Sequence, residues 1–540
     1  MTAEQHSELP HEYPHDPLLD ERLAALHGWE ADWAGLRVVV TGLGATGFSI
    51  ADTLIELGAV VVVVADTDDD AARAAADTLT IVGASAVLLG PDHATVLPLV
   101  AGEPAQLVVT SPGLRPSSPL LAQAQAAGIP IWGDIELAWR LRGRPGARHP
   151  QWLTITGTNG KTTTTTMTAL MLQAAGVRAV PAGNIGTPIL DVIRDLEGYD
   201  AVVVELSSFQ LHWTRSVSAV ASVCLNLAED HVDWHGSMEG YRRDKARIYH
   251  NTQRACVYNV EDRATERMVE EAEVEEGCRA VGFTTGTPGL SMVGVVEGLL
   301  VDRAFHEERR REALELAQLS DAGQLVPKHL AANAAAAAAL VRAYGVAPEA
   351  VSRGLKVYAE GYHEHRIQPV ARHEGVLWVN DSKATNPHAA AASLAAFNPV
   401  VWIAGGDGKG VGYDELIQEQ AARLKAVVLI GVNREPLLTA LERHAPNVPV
   451  LEIEPGDTGR VMADGSTQPR SASAGESGAE VMARAVRSAA TLATMGDTVL
   501  MAPAAASLDQ FPSYAHRGQA FIDAVRDLVE GQAPANGKPE

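Results

Sequence analysis

Short apolar runs rich in β-branched residues alternate along most of the chain with longer segments rich in Ala and Leu. From residue 36 onwards, runs such as Arg37–Thr41, Leu107–Thr110 and Ala201–Glu205 each precede such a segment. This alternation is typical of parallel α/β units, in which every strand is followed by a helix. The pattern therefore predicts an α/β protein with Rossmann-like layers in series.

Breaks in the pattern predict the domain boundaries. Residues 140–150 are rich in Arg, Gly and Pro and indicate a linker, and a second boundary is expected at residues 362–365, after an Ala-rich helix. The predicted parts are a polar, loosely held extension (1–35), a first domain (36–147), a central domain (148–363) and a C-terminal domain (364–540). Residues 455–480, rich in Gly, Ser and Asp, predict a mobile insert.

Charge and composition exclude several classes of protein. The 540 residues include 43 Lys and Arg against 67 Asp and Glu, a net charge of −24. Such an acidic chain is not expected to bind nucleic acid or an acidic membrane in general. No signal peptide or membrane-spanning run is apparent, and three cysteines without metal-ligand spacing fit a reducing compartment. The expected location is the cytoplasm.

A first glycine-rich loop, Gly42-Leu-Gly44-Ala-Thr-Gly47, follows the first strand, and the next strand ends at Asp66. Glycines at a strand-to-helix turn let the backbone approach a diphosphate, and the acid suits a ribose hydroxyl. The loop predicts a bound nucleotide diphosphate without specifying which one. Taken alone, it favours a nicotinamide-dependent oxidoreductase.

A second loop, Gly157-Thr-Asn-Gly160-Lys161-Thr162, lies between a strand and a helix. This context suits a phosphate-cradling loop, with Lys161 facing the phosphates and the Thr162 hydroxyl on Mg²⁺. The generic pattern has a further glycine where this chain has Ile155. Two phosphate loops on one chain make a plain dehydrogenase a poor interpretation.

Further candidate groups follow other predicted strands. Glu205 ends one strand, and an acidic segment containing His231 follows another, so both are candidates for an ATP–metal site. In the C-terminal domain, residues 381–386, 405–409 and 503–511 also follow strands. Their cations, hydroxyls and backbone N–H groups suit an amino acid with two carboxylates.

Twelve short segments, in this order, give the chain a resemblance to the Mur ligases, and among them to the members that add D-glutamate. The segments are GLGATG, SPG, GDIE, GTNGKTT, GNIG, ELSSFQL, NLAEDHVD, RRDKARIY, HR, NDSKATN, GGDGKG and ASLDQF. The resemblance covers the chain from Gly42 almost to its end. It implies a UDP-binding domain, a central phosphate-loop ATPase and a C-terminal domain with a dinucleotide-type fold.

The implied reaction is ATP-dependent addition of D-glutamate to UDP-N-acetylmuramoyl-L-alanine through an acyl phosphate, giving ADP and phosphate, in cell-wall precursor synthesis. ATP and two Mg²⁺ ions are implied, and the chain is expected to act as a monomer. Lys245 matches the lysine that the family carbamylates. Because a bare ammonium repels Mg²⁺, a carbamate would supply an anionic oxygen ligand instead.

The resemblance also implies roles for individual residues. The uridine substrate would contact Ala45, Thr46, Asp66, Thr67, Asn184, Ser207, Gln210 and His231. ATP would contact Gly157, Thr158, Asn159, Gly160, Lys161, Thr162, Thr163, Asn333, Arg366 and Asp381. The metal ligands would be Thr162, Glu205, His231 and Lys245, the catalytic residues Lys161, His231 and Lys245, and the D-glutamate contacts Thr385, Lys409, Ser507, Leu508 and Tyr514.

One departure and several alternatives remain. Relatives often have Asn where this chain has Leu330, so only Asn333 is carried over from that motif. The alternatives are a Mur-type ligase for another amino acid, a folylpolyglutamate synthase, and a nicotinamide dehydrogenase fused to an ATPase. A further one is an inactive nucleotide-binding protein, which would be expected to lack Lys161, Glu205 or Lys245.

Overall fold

The computed structural model describes residues 17–323, 325–361, 364–408, 410–453 and 477–531. The chain divides into two compact units. One comprises Met1–Ala322 with Ala331–Val357, and the other Gly323–Leu330 with Tyr358–Glu540. The first unit contains two β-sheets and the second contains one. No described helix is both long and apolar enough to cross a membrane.

The first sheet is five-stranded and parallel. Its region consists of α1 (Pro17–Ala25), β1 (Arg37–Thr41), α2 (Ala45–Glu56), β2 (Val60–Ala65), α3 (Asp70–Val82), β3 (Ala86–Leu89), β4 (Leu107–Thr110), α4 (Pro119–Ala126), β5 (Ile131–Gly133) and α5 (Asp134–Leu141). The strand order is β3-β2-β1-β4-β5. The winding therefore reverses between β1 and β4, and ligands of such folds bind at the carboxyl ends of the strands flanking this point.

Residues 17–35 pack against this first region. Leu26 and Trp33 are fully buried, and Trp29 Nε1 donates to the Leu141 carbonyl oxygen over 2.7 Å. The prediction of a loosely held extension is therefore wrong for these residues, because several of their apolar side chains join the core. Residues 1–16 lie outside the described part of the chain.

The second sheet has nine strands. Its region consists of β6 (Gln151–Thr156), α6 (Lys161–Ala174), β7 (Ala179–Gly183), α7 (Ile189–Ile193), β8 (Ala201–Glu205), α8 (Ser208–His212), β9 (Ala221–Cys224), α9 (Val232–His235), α10 (Met238–Ala246), β10 (Ala255–Asn259), α11 (Arg263–Glu270), β11 (Arg279–Phe283), β12 (Met292–Val296), β13 (Leu299–Asp302), β14 (Leu314–Gln318), α12 (Lys328–Tyr344) and α13 (Pro348–Gly361). The order is β14-β13-β12-β11-β10-β9-β6-β8-β7. Only the pairs β12–β13 and β13–β14 are antiparallel. Because β6 lies between β9 and β8, a second reversal point falls at the end of β6.

The third sheet forms the core of the second unit. Its region consists of β15 (Gln368–His373), β16 (Val376–Asn380), α14 (Pro387–Leu394), β17 (Val400–Ala404), α15 (Asp414–Gln420), β18 (Leu424–Leu429), α16 (Glu435–His444), β19 (Val450–Glu452), α17 (Gly478–Leu492), β20 (Thr498–Met501) and α18 (Tyr514–Gly531). The order is β15-β16-β20-β17-β18-β19, parallel except for the edge strand β15. The segments after β16, β17 and β20 therefore leave the sheet at one edge.

The predicted mobile insert overlaps the start of α17. Ser477 and Glu480 form a capping box, in which each side chain accepts a hydrogen bond from the other's backbone N–H. Residues 477–480 thus begin an ordered helix, and the prediction is wrong for them. The rest of the insert, residues 455–476, lies outside the described residues.

Candidate functional site

The first glycine loop lies at the carboxyl end of β1. Gly44 is the N-cap of α2, and Ala45 and Thr46 open its first turn, where backbone N–H groups have no partner within the helix. A Cβ atom at Gly47 would lie 2.1 Å from the carbonyl oxygen of Gly42. The close packing of α2 on the turn therefore requires glycine at position 47.

The surroundings of this loop are polar, although the loop itself contains no charged residue. Asp66 and Thr67 follow β2 and are exposed, so they lie at the same sheet edge as the loop. Ser111 follows β4, and its Oγ would lie 2.7 Å from a Cβ atom at Gly42. The loop thus offers an anion backbone N–H groups and hydroxyls, while the segment after β2 carries the exposed carboxylates of Asp66, Asp68, Asp69 and Asp70.

The second loop is held in a conformation that only glycine adopts readily. Gly157 has φ +149° and Gly160 has φ +84°. A Cβ atom at Gly157 would lie 2.9 Å from Leu225 Cβ, and one at Gly160 would lie 2.4 Å from Asn333 Oδ1. The structure thereby places Asn333, on α12, directly against the loop.

Residues of the segment after β9 fix the middle of this loop. The backbone N–H of Asn159 donates to Asn226 Oδ1 over 2.8 Å, and Asn226 Nδ2 donates to the Asn159 carbonyl over 3.1 Å. The Thr158 hydroxyl donates to the carbonyl oxygen of Ala228 over 3.2 Å. The loop is therefore preorganised by protein contacts.

The threonine run lies in the first turns of α6. Thr162 is partly exposed, whereas Thr163, Thr164 and Thr165 are buried. The Oγ1 atoms of Thr164 and Thr165 have no hydrogen-bond partner. Packing against the core therefore accounts for much of the run, whereas Thr162, next to the loop, keeps part of its surface exposed.

Two lysines, the buried Lys245 and the partly buried Lys161, converge on the second loop. Lys161 Nζ and Lys245 Nζ each donate to the Gly157 carbonyl oxygen over 2.9 Å. Burial lowers the pKa of Lys161, and burial together with the Lys161 charge lowers the pKa of Lys245 to about 7. Two ammonium groups sharing one carbonyl oxygen repel each other. An additional negative charge close to the two Nζ atoms would offset this repulsion.

A buried carboxylate lies at the end of β8, next to the loop-bearing strand. Glu205 is 2% exposed; its Oε1 accepts from Asn184 Nδ2 over 2.9 Å, and its Oε2 has no partner. A Cβ atom at Gly183 would lie 2.3 Å from the Glu205 carbonyl oxygen. The Gly183–Asn184 pair thus positions Glu205, a task beyond the substrate contact that the sequence suggests for Asn184.

Ser207 and Gln210 have structural roles in addition to the predicted one. They form a capping box at the start of α8, and Gln210 Nε2 donates to Asp134 Oδ2 over 2.9 Å. Both ends of the Gln210 amide are therefore engaged within the protein. His231 has a left-handed backbone (φ +51°), and its ring packs edge-on against Phe209 at 4.8 Å between centroids.

Sequence reasoning missed several buried charged residues around this site. Asp244 Oδ2 lies 2.8 Å from the Nδ1 atoms of both His212 and His235. Glu136 accepts hydrogen bonds from the backbone N–H and the hydroxyl of Ser216, over 2.9 and 2.6 Å. Asp244 directly precedes Lys245, and Glu136 belongs to the GDIE segment. A match to a short motif does not show whether a residue such as Asp244 or Glu136 binds the substrate or hydrogen-bonds to other protein groups.

The second unit brings most of its predicted residues to one sheet edge. Thr385 follows β16, Ser507 and Leu508 follow β20, and Tyr514 begins α18. Ser507 is 4% exposed, whereas Leu508 is 73% exposed. Lys383 Nζ lies 3.9 Å from the centroid of the Tyr514 ring. Lys409 falls outside the described residues.

Arg517, which the sequence did not single out, ties the segments of this edge together. Its guanidinium is 1% exposed and donates to the carbonyl oxygens of Ser382, Ala505 and Ala506 over 3.0–3.2 Å. Burial lowers its pKa to about 10. These acceptors are neutral oxygens, so they do not neutralise the Arg517 charge, and Asp509 is the carboxylate that acts on it electrostatically.

The two remaining predicted residues of this unit, Arg366 and Asp381, lie near His365. Asp381 is buried, which raises its pKa to about 6, and it accepts a short hydrogen bond from Ser393 Oγ. Arg366 is partly exposed. A Cβ atom at Gly518 would lie 2.3 Å from His365 Nδ1, so α18 packs tightly here.

The second loop fits a nucleoside triphosphate with Mg²⁺. The glycines permit close backbone approach, and the unpartnered Glu205 Oε2 could take a metal ligand's role. Among the described residues, no three His, Cys, Asp or Glu side chains converge as a metal site. Any Mg²⁺ ligands beyond Glu205 must therefore include other donors, such as the hydroxyl of Thr162.

Three family models match the chain in the order of the three sheets. They are the Mur ligase MurD-like N-terminal domain over residues 36–133, the Mur ligase middle domain over residues 155–341, and the Mur ligase glutamate ligase domain over residues 365–505. The chain belongs to the Mur ligase family. The resemblance drawn from the short segments is therefore confirmed at the level of the family, as is the expected fold of three α/β domains.

Similar proteins in other organisms agree with this Mur ligase assignment. A protein of Leifsonia xyli subsp. xyli named UDP-N-acetylmuramoylalanine–D-glutamate ligase is 51% identical over 95% of this chain and 97% of its own. A Streptomyces avermitilis protein of the same name is 52% identical over 92% and 99%. The solved structure of a pseudomurein peptide ligase type C from Methanothermus fervidus shares the fold, with a TM-score of 0.50, 15% identity, and coverage of 92% of this chain and 100% of that one.

Proposed function

We propose that this Mur ligase joins the amino group of D-glutamate to the free carboxyl group of UDP-N-acetylmuramoyl-L-alanine, with cleavage of ATP to ADP and phosphate. The observation that carries the proposal is the presence of two separate anion-binding loops, at the reversal points of two sheets. One loop serves a nucleotide that carries the substrate, and the other serves the nucleotide that is consumed. The names of the relatives specify the two substrates.

The first loop holds the uridine diphosphate in this proposal. Backbone N–H groups at the start of α2 bind the diphosphate, with Ala45 and Thr46 closest, and Asp66 and Thr67 bind the nucleoside part. A site built from N–H groups and hydroxyls holds a diphosphate without supplying a cationic side chain to offset charge in a transition state. Its task is therefore to anchor the substrate.

The second loop activates the carboxyl group. A carboxylate oxygen of the substrate attacks the γ-phosphorus of ATP, the bond to the β-phosphate oxygen breaks, and an acyl phosphate forms with ADP as the leaving group. Lys161 and the N–H groups of residues 157–163 offset the charge on the phosphoryl oxygens. Mg²⁺, when bound by Thr162, Glu205 and His231, neutralises the phosphate charge. The Asn333 amide, which contacts Gly160, orients ATP from the other side.

Lys245 is proposed to carry a carbamate. Its amine is buried beside Lys161, and its lowered pKa, about 7, keeps a sizeable neutral fraction that can attack CO₂. The ammonium loses one proton to give the neutral amine, the N–C bond to CO₂ then forms, and a second proton leaves to water, so that the cation becomes an anion. This change would relieve the repulsion between the two lysines and add an oxygen ligand near Glu205 for a second Mg²⁺.

D-Glutamate is proposed to bind the second unit. Thr385, Lys409, Ser507, Leu508 and Tyr514 would contact it, while Arg366 and Asp381 would contact ATP. The buried charge of Arg517 supports a site for a dicarboxylate. The amine then attacks the acyl carbon, phosphate leaves, and His231 is our candidate for the base that takes the amine proton.

The assay that tests the proposal measures ADP release with UDP-N-acetylmuramoyl-L-alanine and D-glutamate. Parallel reactions contain L-glutamate, L-alanine, diaminopimelate or a folate substrate in place of the natural partner. We expect turnover only with D-glutamate. Turnover with another amino acid, and none with D-glutamate, would refute the substrate assignment, and hydride transfer to NAD would refute the role of the first loop.

The carbamate is tested with Lys245→Ala and with ¹³C-labelled bicarbonate. We expect a carbamate carbonyl signal in the wild-type protein that is absent from the variant. The variant should lose turnover, bicarbonate should not restore it, and a short carboxylic acid should restore part of it. Wild-type activity in Lys245→Ala would eliminate the carbamate.

We also propose that the protein acts as a monomer in the cytoplasm, where ATP and uridine-linked precursors are available. The three cysteines are free thiols and form no disulfide, which suits a reducing compartment. Light scattering during size-exclusion chromatography should give a mass near 57.1 kDa. A mass of twice that value would refute the monomer.

A further inference from the structure

A cavity in the first unit lies outside both glycine loops and is lined by two segments that the proposed reaction does not use. Its volume is about 740 Å³. One wall is formed by residues 25–31, at the end of α1 and beyond it, and the other by residues 140–149, at the end of α5 and beyond it. The backbone N–H of Gly28 donates to the Arg140 carbonyl over 2.7 Å, which fixes one wall to the other.

Three arginines at alternate positions line this cavity, and two of them have carboxylate partners. Arg140 Nε pairs with the buried Glu136 over 2.9 Å. Arg144 Nη2 pairs with Glu56 over 3.2 Å, and its guanidinium lies 4.5 Å from the Trp29 ring centroid. These two positive charges are therefore largely balanced by protein groups.

Arg142 has no carboxylate partner among the described residues. Its guanidinium lies 3.5 Å from the Trp139 ring centroid, and Nη1 donates to the Trp139 carbonyl over 2.6 Å. Burial lowers its pKa to about 10. An arginine that is partly buried without a counter-ion is costly unless an anion from solution completes the site.

Besides the three arginines, the titratable groups that line the cavity are two imidazoles and one carboxylate. His27 and His149 both line it, and burial together with the nearby arginines lowers the pKa of each imidazole. Glu30 is the acidic lining residue, and it is exposed. Because Glu136 and Glu56 pair with Arg140 and Arg144, Arg142 is the arginine of the lining whose charge has no carboxylate partner among the described residues.

We propose that this cavity binds a small anion carrying phosphate groups, with Arg142 as its principal contact. A planar guanidinium matches two phosphate oxygens at once, and Arg142 and Arg144, each packed on an indole ring, are held in place for such a contact. The volume exceeds that of a single phosphate and suits a diphosphate or a nucleotide. The two imidazole edges offer additional donors to the same ligand.

The experiment is isothermal titration of the full chain with inorganic pyrophosphate. Both glycine loops are intact in every variant, so binding at the cavity is measured as the difference between the wild type and a variant of Arg142. Arg142→Gln removes the proposed contact. Arg148→Gln is the matched control, because Arg148 lies on the same linker, is exposed, pairs with Asp200 over 2.7 Å and does not line the cavity. Arg142→Lys keeps the charge without the planar fork.

We expect the wild-type protein and Arg148→Gln to bind pyrophosphate equally, and Arg142→Gln to bind it roughly tenfold or more weakly, since a charge-assisted hydrogen bond is lost. Arg142→Lys should fall between them. ATP-dependent ligation should be unchanged in Arg142→Gln, which shows that the variant is folded and separates this site from the glycine loops.

Three results would overturn the proposal. Pyrophosphate could bind Arg142→Gln as tightly as the wild type, or Arg148→Gln could weaken binding by the same factor. The third is displacement of pyrophosphate by a short glutamate peptide at a lower concentration, which would assign the cavity to an acidic peptide. If Arg142→Gln fails to fold, equal binding by Arg142→Lys and the wild type would refute the contact with the planar guanidinium.

Discussion

The two glycine loops of the first unit follow the same strand–loop–helix plan but differ in their charges. The first contains no charged residue, and its neighbour Asp66 is exposed. The second contains Lys161 and is faced by Lys245 and Glu205, all buried or nearly so. Backbone N–H groups are enough to anchor a diphosphate. Transfer of a phosphoryl group also requires fixed charges at the positions where negative charge develops in the transition state.

On this proposal, the first loop anchors the uridine substrate and the second loop takes part in the chemical step. Defects in the first loop should weaken binding of the uridine substrate and leave the chemical step intact. Defects in the second should lower the rate at saturating substrate. Variants in each loop test this division.

The largest effect is expected from Lys161→Ala. Loss of the buried ammonium removes charge stabilisation from the transferring phosphoryl group, so kcat should fall by roughly 10³-fold. The affinity for the uridine substrate, measured by calorimetry without ATP, should stay within about a factor of two of the wild type, because distant sites contribute independently. A large loss of uridine-substrate affinity would contradict the separation of the two loops.

A smaller effect is expected from Gly160→Ala. The added methyl group meets Asn333 Oδ1 at 2.4 Å, and φ is +84°, so strain of about 1–3 kcal/mol is placed on the loop. The affinity for ATP should fall by roughly tenfold or more. Gly160→Ala should also lower the thermal stability, and Asn333→Ala in the same background should restore part of that stability, because it removes the clash but not the backbone strain. If Asn333→Ala restores nothing, contact with the Asn333 side chain is not a cause of the Gly160→Ala defect.

Two substitutions in the first loop sharpen its anchoring role. A Cβ atom at Gly47 lies 2.1 Å from a carbonyl oxygen, whereas one at Gly44 meets no protein atom within 4 Å. Gly47→Ala should therefore lower the thermal stability and raise the KM for the uridine substrate by roughly tenfold. Gly44→Ala should leave the thermal stability unchanged and raise only the KM for the uridine substrate, because the added methyl group would clash with the bound diphosphate and with no protein atom. An unchanged KM in Gly44→Ala would show that no diphosphate lies over the turn.

The sequence predicted these loops well because each depends on local chemistry. Strands at Arg37–Thr41, Leu107–Thr110, Ala201–Glu205 and Val400–Ala404 have the bounds that their apolar runs indicated. Glycines at a strand-to-helix turn indicate a positive φ or a close backbone approach, and both are properties of the turn itself. The family follows from many short segments in a fixed order, and the similarity to named Mur ligases confirms it.

What the sequence could not predict depends on residues distant in the chain. The pairing of Asp244 with two histidines, and the four hydrogen bonds of Arg517 to the segments it holds together, arise only when separate elements meet. The antiparallel pairing of β12, β13 and β14 was not predicted, because the alternation of strands and helices elsewhere in the chain indicates parallel units. Residues 17–35 were misjudged because polar composition conceals a few buried side chains such as Trp33.

The smallest predicted effect concerns Asp134, which links the two loop regions through its hydrogen bond to Gln210. Burial raises its pKa to about 6, and Oδ1 has no partner. The folded state therefore favours the protonated form, so this residue stabilises the fold at low pH and loses that contribution as pH rises through about 6. Asp134→Asn keeps an acceptor for Gln210 and should raise the free energy of unfolding at pH 7.5 by about 1–2 kcal/mol.

The matched control is Asp244→Asn, for which we expect the opposite change in the free energy of unfolding at pH 7.5. Burial raises the pKa of Asp244, but hydrogen bonds from His212 and His235 outweigh it and lower the pKa to about 2. This carboxylate stabilises the fold above its unfolded pKa, so its removal should lower the free energy of unfolding at pH 7.5. Urea unfolding at pH 7.5 and pH 4.5 measures both variants, and the gain from Asp134→Asn should shrink at the lower pH. Equal and negative effects at both pH values would show that the Asp134–Gln210 contact stabilises the ionised form after all.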